Sequence, residues 1–130
     1  MTLMSVRFGT DDVARATRFY DAVLAPLGYA PNSAPAEYGI CMYAKPGSAT
    51  LMVGRPRDGN AATFANGGTV GFIAQDAAAV DAFHAAGLAQ GGTCEGAPGP
   101  RPQAGNAYGA YLRDPDGNKI CAYHGLNIGG

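Results

Sequence analysis

The segment from Ser5 to Gly28 recurs 64 residues later, from Thr69 to Gly92, with nine identities over 24 aligned positions. Three are alanines in an Ala-rich chain. The other six, Val6/Val70, Phe8/Phe72, Asp12/Asp76, Phe19/Phe83, Leu24/Leu88 and Gly28/Gly92, run through a whole strand-to-helix unit. A second echo, at an offset of 70, pairs Tyr38-Gly39 with Tyr108-Gly109 and Gly47 with Gly117. The change of offset matches the loop after each first unit, since residues 29 to 37 number nine and residues 93 to 107 number fifteen. The chain therefore reads as a duplicated module, with a period too long for a solenoid repeat. A site shared by the halves is expected where they meet.

Each copy opens with a strand. Val6 and Phe8 alternate with Ser5, Arg7 and Gly9, and Val70 and Phe72 alternate with Thr69, Gly71 and Ile73. Asp11 or Asp12 and then Asp76 offer N-caps to helices predicted over about 11 to 25 and 76 to 90. Val13, Ala16, Tyr20, Val23, Leu24 and Leu27 form the first apolar stripe, and Val80, Phe83 and Ala86 the second. The Val/Phe side of each strand should pack beneath its helix. Hairpins follow, turning at Lys45-Pro46-Gly47-Ser48 and at Asp114-Pro115-Asp116-Gly117, with strands near 38 to 44, 49 to 54, 107 to 113 and 119 to 124. Arg55 to Gly68 reads as the linker. Residues 93 to 106, rich in Gly and Pro, read as a long loop of the kind that often forms a lid.

At 130 residues this is about one domain, with module one over about 1 to 60 and module two over about 66 to 127. Charged residues make up 15% and the net charge is -1, which argues against a nucleic-acid partner. No apolar run is long enough for a membrane span, and Met1-Thr2-Leu3-Met4 has no leader pattern, so a cytoplasmic protein is expected. Cys41, Cys94 and Cys121 are odd in number with no close-spaced pair, against a disulfide framework or a zinc knuckle.

Two strand-helix-hairpin copies, with FYDAVLAPLGY from Phe19 and DPDGNKICAYH ending at His124, resemble the glyoxalase/bleomycin-resistance/dioxygenase superfamily, also called vicinal oxygen chelate. The resemblance covers essentially the whole chain. It implies an α+β fold of two βαβββ modules forming an incompletely closed eight-stranded barrel around a cavity, helices outside. It implies a homodimer as well, as is frequent in the family. In metal-dependent members, ligands lie on the first and last strands of each module. Carried across, these positions fall on Ser5, Thr69, Cys121 and either Leu51 or Met52, of which Met52 is favoured. None is an imidazole or a carboxylate, so no metal and no other cofactor is expected.

Alternation and the repeat place Arg7, Cys41, Tyr43, Tyr111, Arg113 and Tyr123 on the inner face beside Cys121. Such a set suits a small, apolar or aromatic ligand held by a cationic fork. Against this, Arg7 and Arg113 could simply reach solvent from strand ends, and Cys121 could be a small buried hydrophobe. His84 reads as a helix residue packed on the sheet and His124 as a surface residue. Cys94 has no evident partner, and Asp12, Asp76, Asp114 and Asp116 read as caps and turn formers. The ligand-binding set is thus Ser5, Arg7, Cys41, Met52, Thr69, Tyr111, Arg113, Cys121 and Tyr123, with no catalytic residue assigned. Three functions compete: metal-independent binding of a small organic molecule; a lyase, isomerase or dioxygenase whose metal ligands come from substrate or a partner chain; and metal-free acid-base catalysis by Tyr111, Tyr123 or Cys121.

Overall fold

The computed structural model describes residues 2–32 and 39–126. In chain order the elements are β1 (Ser5–Gly9), α1 (Val13–Leu24), β2 (Ile40–Tyr43), β3 (Thr50–Gly54), β4 (Val70–Ile73), α2 (Ala77–Ala89), β5 (Thr93–Arg101), β6 (Ala107–Arg113) and β7 (Lys119–His124). They form an α+β structure of two sheets, ordered β1-β3-β2 and β4-β7-β6-β5. Each sheet pairs the first strand of its half with the last, in parallel: Arg7 lies opposite Met52, and Gly71 opposite Cys121. Among the described residues seven strands stand where eight are expected. The first-half stretch equivalent to β5 overlaps residues 33–38, outside the described residues, as does Tyr38 of the second echo.

Both helices start where a carboxylate can take an orphan N–H. Asp12 Oδ1 accepts from Arg15 N at 3.0 Å, and Asp76 Oδ1 accepts from Ala79 N at 2.8 Å. A 3-10 turn, Ala25–Leu27, extends α1 up to Gly28, whose φ of 93° closes the unit in the left-handed region. Val6, Phe8, Val70 and Phe72 all pack against one core with Phe19, Tyr20, Val23, Phe83 and Ile120. Both copies of the repeated strand thus contribute Val and Phe side chains to the core. Among the described residues no helix is long and apolar enough to cross a membrane.

The halves are joined by the β6–β7 turn. Asp114 is buried there and accepts from Asp116 N and Asn118 N, both at 2.9 Å, as a turn former should. Its other oxygen reaches the opposite half, accepting from the phenol of Tyr20 on α1 at 2.6 Å. Asn118 Nδ2 donates to Gly9 O at 3.1 Å, and Arg15 pairs with Asp116 at 2.8 Å.

The stretch expected as a loop over 93 to 106 is largely strand β5, followed by a 3-10 turn at Pro102–Ala104. Pro98 and Pro100 suggest a loop because they lack an N–H. On the outermost strand of a sheet one row of N–H groups goes unpaired in any case, so proline is tolerated there. Register shifts between Cys94 and Gly99 absorb the rest of the irregularity.

Candidate functional site

On the face of the second sheet turned away from the helices, β6 and β7 bring three expected residues together. Tyr111 lies opposite Cys121, and Tyr123 follows two residues on. The two tyrosine hydroxyls are 2.7 Å apart, their rings meeting edge-to-face at 5.8 Å. Tyr123 can lie flat against the sheet because Gly109 faces it: a Cβ there would come within 2.4 Å of the ring. Burial pushes the thiol of Cys121 up, although a hydrogen bond with Tyr111 and the charge of Lys119 oppose it. Burial and the bond to Tyr123 push the phenol of Tyr111 up. At neutral pH this cluster offers a thiol and phenols, hydrogen-bond donors rather than bases.

Cations surround it. Lys119 Nζ sits 5.3 Å from the Tyr111 ring centre and the Arg101 guanidinium 5.8 Å from it. Arg101 also donates to Gly99 O at 2.9 Å and to Ala97 O at 2.7 Å, and Arg113 is likewise engaged. Its Nε pairs with Glu95, Nη1 donates to Gly117 O at 2.9 Å, and the guanidinium lies 5.3 Å from the ring of Phe64. The hydrogen bond from Arg113, helped by its charge, holds Glu95 below the usual carboxylate range.

Two cavities lie along the seam where β1 and β4 approach. One, of 510 Å³, has Arg7, Phe64, Thr69 and Lys119 in its wall. The other, of 640 Å³, is lined by Val6, Leu51, Val70, Phe72, Tyr29 and the turn at 45 to 49. Its cation, Lys45, already donates to Leu27 O at 2.7 Å. The smaller cavity is therefore the better site, since Lys119 belongs both to its wall and to the surroundings of Tyr111. Ser5 and Arg7 share a face of β1, and Arg7 lies opposite Met52. Arg7 is exposed and donates to Arg55 O at 2.9 Å.

Cys41 and Tyr43 do not face the cavity. Both are buried in the core beneath α1, where the Tyr43 phenol donates to Asp21 Oδ1 at 2.6 Å and Cys41 Sγ–H donates to Val53 O at 3.5 Å. The reason lies in the hairpin turns. Ser48 N donates to Lys45 O, and Gly117 N donates to Asp114 O, so these turns correspond at an offset of 69. Glycine occupies the third position of one turn and the fourth of the other. Matching Gly47 to Gly117 shifts the register by one residue, and a one-residue slip turns a whole strand over. At the observed register Met42 and Met52 take the places of Tyr111 and Cys121. Met42, 52% exposed, thus belongs to the face assigned to Cys41.

Lys119, Arg101, Phe64 and Met42 are additions made by the structure. Lys119 alternates with Cys121 and Tyr123 and carried a readable signal. Arg101 sat in the supposed loop and Phe64 in the linker, where no periodicity points anywhere. His84 is buried on α2 next to Cys94, and exposed His124 has Nδ1 3.4 Å from Ala74 O.

The positions that hold metal in the family, as carried across by resemblance, present hydroxyls at Ser5 and Thr69, a thioether at Met52 and an uncharged thiol at Cys121. These donors do not fit a divalent ion, which needs imidazoles or anionic groups. Among the described residues no three His, Cys, Asp or Glu side chains gather elsewhere.

The two sheets, each opening on a strand-to-helix unit, define a known class. The sequence model of the Glyoxalase/Bleomycin resistance protein/Dioxygenase superfamily matches residues 2–122, and the chain belongs to that superfamily. It is similar to the crystal structure of a glyoxalase/bleomycin resistance protein from Albidiferax ferrireducens T118, with 46% identity and a TM-score of 0.87, covering 95% of this chain and 99% of that one. More distant is a glyoxalase-related enzyme from Fulvimarina pelagi, at 19% identity and TM-score 0.74, covering 100% of this chain and 94% of that one. A lactoylglutathione lyase from Agrobacterium tumefaciens matches at 24% and 0.66, covering 99% and 97%. These last two share the fold alone. No curated protein matches the chain.

Proposed function

We propose that this protein is a metal-independent member of the superfamily that binds a small anionic molecule with an apolar or aromatic body. The observation that carries the reading is the convergence of Lys119 and Arg101 on the Tyr111 ring, beside a cavity that also contains Arg7. The carboxylate or phosphate of the ligand would pair with Lys119 and Arg7, while its body lies on Phe64 and the Tyr111/Tyr123 wall. Thr69 belongs to the cavity wall, Cys121, Met52 and Ser5 would extend the contact along the strands beside it, and Arg113 serves mainly to hold Phe64. The sheets would curve about the seam as an incompletely closed barrel, in a cytoplasmic homodimer. Tyr111, with its phenol pushed up, can donate to a ligand oxygen but is a poor proton acceptor, which disfavours acid-base catalysis through it.

The test is a thermal-shift and calorimetric screen of small aromatic carboxylates, aryl phosphates and phenols. Anionic hits should stabilise the wild type, bind Lys119→Ala about 10 to 100-fold more weakly, and fail to bind Cys121→Trp, whose ring would fill the wall. Binding unchanged in both variants would refute the site. Binding that requires added zinc or nickel would favour the enzymatic alternative.

A further inference from the structure

Two side chains that neither the core nor the proposed ligand site uses meet on the helix side of the second sheet. His84 projects from α2, 8% exposed, with Nε2 3.1 Å from Cys94 Sγ at the start of β5. Cys94 lies opposite Leu112, a core residue, which turns its side chain toward the helix. Cys94 is nonetheless an exposed residue, on the outermost strand of its sheet. A thiol on an exposed residue within hydrogen-bond reach of a buried imidazole is an arrangement that can raise sulfur nucleophilicity, since the thiolate is the reacting species. The other cysteines differ. Cys41 and Cys121 are buried with their thiols pushed up by desolvation.

We propose that Cys94 is a reversible modification site, exchanging with low-molecular-weight disulfides of the glutathione class, with His84 as the proton acceptor. In the tautomer protonated on Nδ1, the Nε2 lone pair takes the S–H proton as Cys94 Sγ attacks one sulfur of the disulfide. A new S–S bond forms to Cys94 and the original S–S bond breaks. The departing thiolate takes the proton back from the imidazolium, so one disulfide and one thiol are consumed and one mixed disulfide and one thiol produced. Burial holds the imidazole of His84 below its ordinary value, against the opposing charge of Asp81, so the ring has a free lone pair at neutral pH, with reduced basicity. The site lies on the opposite side of the sheet from Tyr111 and Cys121, and it does not depend on the ligand proposed there.

The experiment exposes the full chain to excess glutathione disulfide at neutral pH and follows adducts by intact-mass and peptide mass spectrometry. One adduct is expected, on Cys94, removed by dithiothreitol and absent from Cys94→Ser. In His84→Gln the adduct should form about tenfold more slowly while Cys41 stays protected, which shows that the fold is intact. If His84→Gln exposes Cys41, imidazole ¹⁵N shifts of the wild type before and after modification decide the matter. Blocking Cys94 must then move the Nε2 resonance of His84, and an unmoved resonance refutes the pair. Equal rates in wild type and a folded His84→Gln, a first adduct on Cys121, or a Cys94-linked dimer in place of the mixed disulfide would each overturn the proposal.

Discussion

At the scale of single residues, the open face depends on small side chains placed opposite large ones. Gly109 has no positive φ to satisfy, and its role is to leave room for the ring of Tyr123. Gly109→Ala should therefore lift Tyr123, break its bond to Tyr111 and cost about 1 to 3 kcal/mol through overpacking. The check is a urea titration alongside the ligand screen. Unchanged stability with intact ligand binding would show that the ring does not need that space. Which residues make this wall is legible in the sequence wherever alternation is anchored by a core neighbour: Ile120 and Ala122 fix Cys121 and Tyr123, and Leu112 fixes Tyr111. Cys41 is misread because its anchor is a glycine in a turn, and glycine is compatible with more than one turn position.

At the scale of elements, α1 carries a testable charge. The backbone N–H of Arg15 and the charges of Arg15, Arg18 and Arg55 hold the Asp12 carboxyl below its usual value. A carboxylate whose folded pKa is depressed contributes stability above the unfolded value, about 3.9, and loses that contribution as pH falls through the folded one. Asn also caps a helix but does not titrate. Asp12→Asn should accordingly be less stable than the wild type near neutral pH, approach it at acid pH and so lose less stability on acidification, read as the shift in urea midpoint between about pH 6 and about pH 2.5. Equal shifts in both proteins would rule Asp12 out as the source. Both helices and their caps are readable because apolar spacing and a capping carboxylate coincide. Strand β5 is hidden because Pro and Gly are turn formers in most contexts, and only its position at the sheet edge, a tertiary fact, makes them acceptable in a strand.

At the scale of the whole molecule, the turn that closes the second half also fastens it to the first. Tyr20→Phe removes one hydrogen bond to a buried carboxylate and should cost about 1.5 to 3 kcal/mol, although no residue of the ligand face is touched. Urea unfolding that stays as stable as wild type would locate the coupling of the halves elsewhere. The uncharged donors at Ser5, Met52, Thr69 and Cys121 lead to a second expectation: protein purified without chelator should carry no stoichiometric divalent metal and gain no melting temperature from added zinc, nickel, manganese or iron. About one metal per chain, retained through mild chelation, would contradict it. The duplication itself has a consequence for orientation. Met42 and Met52 stand on one side of the seam at the positions that Tyr111 and Cys121 hold on the other, so the two walls that symmetry would make alike are a pliable thioether pair and a stiffer phenol-thiol pair. A molecule lying across the seam cannot be turned end for end without exchanging those environments, so a guest with unlike ends would lie in one direction only.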